Sequence, residues 1–163
     1  MAKNQDISGV GGWLALLVFG LMILGPLLGL GALLNEFSTA VEQLPQLANN
    51  AKWQDYQQIS WLIYTVSVAI SFSAGYRLWK IHFPESVRFA IISQWLAGPL
   101  TYVLHQISGI VMFDMIPDGD TIARMVGGTI AAVIGAGIWT AYLMLSVRVR
   151  NTYKPGAFRP IEH

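Results

Sequence analysis

The chain has 163 residues, 54% of them hydrophobic and only 12% charged, about half the ~25% charged share of an ordinary soluble domain. Most of its surface therefore does not face water. A formal net charge of +1 argues against a nucleic-acid binder, and the lack of cysteine removes disulfides, iron–sulfur clusters and thiolate chemistry.

Charges punctuate the chain into four apolar blocks. Nothing charged lies between Asp6 and Glu36, Asp55 and Arg77, Arg88 and Asp114, or Arg124 and Arg148. Each block supplies the roughly 20 apolar residues that cross a hydrocarbon core as a helix. The first span is expected at about 12–34; it is too long for a signal-peptide core and reads as a retained helix. An outer loop, 35–58, follows. Phe37, Val41 and Leu44 recur there at helical spacing, which predicts a short surface helix before Pro45, and 51–58 extends the second span outward. The remaining spans are expected at about 59–79, 87–113 and 122–147, with a basic tail over 148–163. The fold class is an all-α, single-domain, four-transmembrane-helix bundle.

Orientation follows from Lys and Arg. Lys3, Arg77, Lys80, Arg88, Arg148, Arg150, Lys154 and Arg159 fall on one side, and only Lys52 and Arg124 on the other. The positive-inside rule then puts both termini in the cytoplasm. Cations at the C-terminal ends of the second and fourth spans complement the helix dipole. Asp118, Asp120 and Thr121 supply capping oxygens for the fourth span, a simpler reading of the Asp114–Asp120 cluster than calcium binding.

Small residues recur where helices would pack closely. They are Gly25 and Gly29 in the first span, and Ser67, Ser71 and Gly75 in the second. The fourth span carries Gly127–Ala131–Gly135 and Gly128–Ala132–Ala136, which predict that it is well buried. Gly25-Pro26 and Gly98-Pro99 each place a proline at mid-depth, where the lost amide and the crowded carbonyl should bend the helix.

The third span alone carries strongly polar groups well inside it. Gln94, Gly98, Thr101, His105 and Ser108 share one helical face. Such a face either lines a proton or solute path or forms interhelical hydrogen bonds with Ser67, Ser71, Tyr64 or Thr129. The second reading is the weightier one from sequence, because no carboxylate or second titratable group is expected beside His105. His82 and His163 read as solvated. No nucleophile-and-base motif, phosphate loop, metal motif or cofactor motif stands out, so the expectation is a non-enzyme without a cofactor.

Three ordered motifs remain: Gly11-Gly12-Trp13-Leu14, Phe83-Pro84, and Trp139-x-x-Tyr142-x-x-x-Ser146-x-Arg148-Val149-x-Asn151-Thr152-Tyr153. Together they resemble Domain of Unknown Function 2569, small bacterial inner-membrane proteins with four predicted helices. The resemblance implies topology and bacterial origin but no activity. All three motifs fall at the cytoplasmic rim, where Trp13, Trp139, Tyr142, Arg148 and Arg150 form a candidate docking surface. Ser146, Arg148 and Thr152 are placed to hold the final turn.

The leading expectation is an accessory or scaffold subunit, embedded among membrane lipids and binding another membrane or envelope protein or itself. The alternative is a small oligomeric transporter or channel for a proton, ion or small solute. It would use the two bent helices and the Gln94–His105 face. Inner-leaflet lipid binding by the basic tail comes third.

Overall fold

The computed structural model describes residues 8–153. Among these, α1 (Trp13–Gln43), α2 (Ala51–Lys80), α3 (Pro84–Phe113) and α4 (Gly119–Leu145) are each long and apolar enough to cross a bilayer. This is the composition of a multi-pass membrane protein. A short helix, α5 (Val147–Thr152), follows α4, and no strand occurs among the described residues. The positions of Lys3, Lys154, Arg159 and His163 lie outside this range.

Local chemistry sets the helix ends. Gly12 precedes α1 at φ 55°, in the left-handed region that glycine enters without steric cost. Asn50 caps α2 by accepting from the Trp53 N–H at 3.3 Å. Asp118 caps α4 by accepting from the Thr121 N–H at 2.8 Å, and these Thr121 hydrogen bonds hold its carboxyl below the usual range. Ser146 caps α5 through the Val149 N–H. Asp114 ends α3 in the left-handed region, and its carboxylate pairs with Lys52 at 3.3 Å.

The expected surface helix does not exist as a separate element. Phe37 and Val41 continue α1 as far as Gln43, because nothing between Leu34 and Gln43 breaks a helix. The chain turns only at Leu44, into a 3₁₀ turn over Pro45–Asn49. The interhelical loop is therefore much shorter than 35–58, and Glu36 belongs to a helix.

Both Gly-Pro pairs sit at π-helical turns, Gly20–Leu24 in α1 and Leu96–Leu100 in α3. Proline lacks the N–H that would bond four residues back, and a π-turn reroutes the neighbouring bonds. In α1 the Gly25 N–H reaches the Gly20 carbonyl. A β-carbon at Gly25 would lie 2.8 Å from that oxygen, so glycine is required there. In α3 both the N–H and the hydroxyl of Thr101 reach the Leu96 carbonyl. Thr101 thereby bypasses the Ala97 carbonyl, which accepts instead from the Ser67 hydroxyl of α2 at 3.2 Å. Tyr64 of α2 donates to the Pro26 carbonyl at 3.0 Å. α2 thus supplies a hydroxyl to the π-turn of α3 and another to α1 just past its π-turn.

α2 is the central helix. Gly29 of α1 abuts the Tyr64 ring, and Gly75 of α2 abuts Met22 and the Val18 carbonyl of α1. α4 packs chiefly on α3 and does not close the bundle against α1. It is not well buried, contrary to what the small-residue stripes predict: only Ala136 and Leu143 are buried in it. The Gly128–Ala132–Ala136 stripe faces inward, whereas Gly127 and Gly135 have no neighbour within 4 Å of where a β-carbon would stand. Two overlapping stripes one residue apart lie about 100° apart on a helix, so only one can face α3.

At one end of the bundle the two ends of the described chain meet. The Gly9 N–H donates to the Thr152 hydroxyl at 2.9 Å, and Leu14, Leu17, Ala74, Leu78, Ala90, Leu143, Val149 and Tyr153 form a buried core. We call this the terminal end. The far end is aromatic: Phe37, Trp53 and Tyr56 pack with Leu33, against Phe113.

Tyr153 ties the terminal end together. Its hydroxyl donates to the Leu78 carbonyl, which lies in the last turn of α2 where carbonyls lack helical partners. Burial, and then Tyr142, push the phenol well above its ordinary range. A raised folded-state value means that this contribution is full below about pH 10 and is lost as pH rises toward that value. Tyr153→Phe should cost about 1–2 kcal/mol and flatten the alkaline fall in melting temperature seen in the parent protein. An unchanged alkaline fall in the variant would assign it to another group.

Candidate functional site

The helices of this bundle leave a seam between them rather than a closed core. Three cavities lie along it, of about 500, 470 and 420 Å³ from the far end to the terminal end. The first and second share Glu36, His105 and Gln106 in their walls. The second and third share Gly25, Ser71, Ala97, Gly98 and Ala132. The seam is thus crossed at two places, once by a polar cluster and once by the two Gly-Pro turns.

The polar cluster draws one residue from each of three helices. Tyr56 of α2 donates to Glu36 Oε1 of α1 at 2.6 Å. His105 of α3 places Nδ1 at 3.8 Å from Glu36 Oε2, a charge-pair distance too long for a hydrogen bond. The Tyr56 and His105 rings meet edge to face at 5.7 Å. His105 Nε2 is buried without a hydrogen-bond partner, as is the hydroxyl of Ser60, which lines the central cavity one helical turn from Tyr56. Buried polar atoms ordinarily find partners; two orphans beside one cavity mark the place where an occupant would be held.

Of the five residues expected to share a face on α3, the four polar ones divide. Thr101 and His105 line the central cavity, and Gln94 lines the cavity toward the terminal end. Ser108 lines none of the three; its hydroxyl donates to the His105 carbonyl. The π-turn lies between Gln94 and Thr101 and adds a residue to the turn, so counting at 3.6 residues misplaces one part of the helix against the other. The expected interhelical bonds do not form either. Gln94 donates to the Ala90 carbonyl of its own helix, and Thr129 to that of Met125. His105 is instead beside a carboxylate, where none was expected.

Glu36 was nevertheless within reach of the sequence. Gly25, Gly29, Leu33 and Glu36 follow at intervals of four, four and three, the spacing of a single helical face.

The rim residues gather at the terminal end. Trp13 and Trp139 meet at 6.4 Å, and Trp139 and Tyr142 at 5.9 Å. Arg148 lies against Gly11 and Gly12, so close that a β-carbon at Gly11 would sit 2.6 Å from its Nη1. Thr152 donates to the Arg148 carbonyl at 2.7 Å. Arg150 is exposed. The His82 ring lies 5.8 Å from that of Tyr153 rather than free in solvent. The first and last sequence motifs are therefore halves of one structure that joins the start of α1 to the end of α4.

A family model described as Protein of unknown function (DUF2569) matches residues 7–154. The chain belongs to that family. The match spans both halves of the terminal-end cap, the two Gly-Pro turns and the Glu36–Tyr56–His105 cluster. No curated protein matches the chain, and no solved structure does.

Proposed function

We propose that this protein binds a small molecule in its central cavity and passes it along the seam, acting as a small transporter or channel. The observation that carries this reading is the line of three cavities with the Glu36–Tyr56–His105 cluster across it. A cavity of about 470 Å³ falls within the range of small-molecule sites (~300–1,000 Å³). Intramembrane ionisable groups ordinarily mark substrate or proton paths. The groups at the seam offer binding and proton exchange, which favours a non-enzymatic role. The excess of Lys and Arg at the terminal end supports a bacterial inner-membrane placement with both termini cytoplasmic. A reporter fused after residue 163 tests that side.

Proteoliposomes test the flux. Proton movement is followed with entrapped pyranine, and glycerol and urea entry by stopped-flow light scattering. Entry above that of empty vesicles supports the reading, and rates equal to empty vesicles for all three overturn it.

A second reading, the accessory subunit, is favoured by one observation. Trp13 meets the Trp139 ring at a tilt yet remains 66% exposed, and Arg150 is exposed too, as a docking surface on a membrane or envelope protein would require. Crosslinking in native membranes that captures a partner through residue 13 supports it. Capture of the protein alone turns it into self-association.

A further inference from the structure

The walls of the central cavity carry one carboxylate, Glu36, among hydroxyl, amide and imidazole groups. Tyr64, Ser67 and Thr101 have each given their one hydroxyl proton away, to the Pro26, Ala97 and Leu96 carbonyls, whereas the Ser60 hydroxyl and His105 Nε2 are buried without a partner. Glu36 adds a carboxylate whose Oε2 has no hydrogen bond shorter than the 3.8 Å approach of His105. Among the described residues lining the cavity there is no lysine or arginine, and the remaining wall is largely apolar. With no basic side chain in that wall to pair with it, the partly exposed Glu36 carboxylate is left to draw a positive charge from the ligand.

We propose that the cavity takes an amphiphilic organic cation, its ammonium or guanidinium head at Glu36 and its apolar body along Ile63, Val68 and Ala132. Tyr64 and Tyr102 add aromatic rings to the wall, which attract cations through the ring quadrupole. Tyr56 fixes the carboxylate by holding Oε1 and leaves Oε2 to the ligand.

The inference rests on the cavity-binding reading above, and the test separates the two. Binding of 2-phenylethylammonium, 2-phenylethanol and phenylacetate to the full chain in nanodiscs is measured by calorimetry. The ammonium should bind roughly tenfold or more tightly than either analogue, and Glu36→Gln should erase that preference. Tyr56→Phe, which keeps the carboxylate, should preserve it.

Equal affinity for the alcohol, or an unchanged preference in folded Glu36→Gln, overturns the cation and leaves the cavity-binding reading standing. Binding of none of the three overturns the cation as well; flux of glycerol, urea or protons in the vesicles would then keep the conduit, and its absence would remove both.

Discussion

Gly75→Leu should separate α1 from α2 and lower the stability of the protein by about 3 kcal/mol, the upper part of the usual range for overpacking. Lipid offers helices no hydrophobic drive to associate, so spans hold together where small residues let backbones approach and disperse against each other. Gly75 is such a place. It is buried, and a β-carbon there would run into the Met22 side chain and stand 3.3 Å from the Val18 carbonyl. Met22 can turn aside, but a helix carbonyl cannot. Alanine would therefore be partly absorbed, whereas leucine forces the axes apart and opens the core around Leu14, Leu17, Ala74 and Leu78. The matched control is Gly127→Leu, where the site is open and the change should stay within about 0.5 kcal/mol. Thermal unfolding of both variants in the same detergent decides the matter. A Gly127→Leu cost as large as that of Gly75→Leu would mean that the outward stripe of α4 is packed after all, against another copy.

These two glycines show where sequence stops short. The four apolar blocks, the capping role of Asp118 and the close approach at Ser67–Ser71–Gly75 were legible, since each depends on local composition or on a single helical face. Which of the two α4 stripes faces inward was not, because both satisfy the same spacing and only the position of α3 chooses. Glu36 was hidden by a different cause. Its charge reads as the end of a span, yet no helix breaker occurs before Leu44, and the helix carries the carboxylate on to meet His105. The Gly-Pro pairs announced an irregularity without its form. A π-turn depends on which carbonyls find donors, and for the turn of α3 one such donor, Ser67, comes from another helix.

Gly98→Phe should bring flux along the seam down to the level of empty vesicles, a loss of tenfold or more, with stability changed by about 1 kcal/mol or less. Gly98 lies at the crossing shared by the central cavity and the one toward the terminal end. A β-carbon there would meet nothing within 4 Å, so a large ring enters space that is already open and displaces no neighbour. The ring would occupy space at the join of the two cavities, whose walls share Gly25 and Ala132 with Gly98. Gly25 itself is a poor place for the same experiment, because its own π-turn carbonyl blocks any side chain. The control is Gly137→Phe, at another open glycine of α4 that lines none of the three cavities. It adds the same ring to a membrane helix and should leave flux unchanged. If Gly98→Phe folds and still passes solute at the parent rate, the path does not run along this seam. The Glu36–Tyr56–His105 cluster would then serve a cavity with a single mouth, a receptor for its ligand and not a conduit.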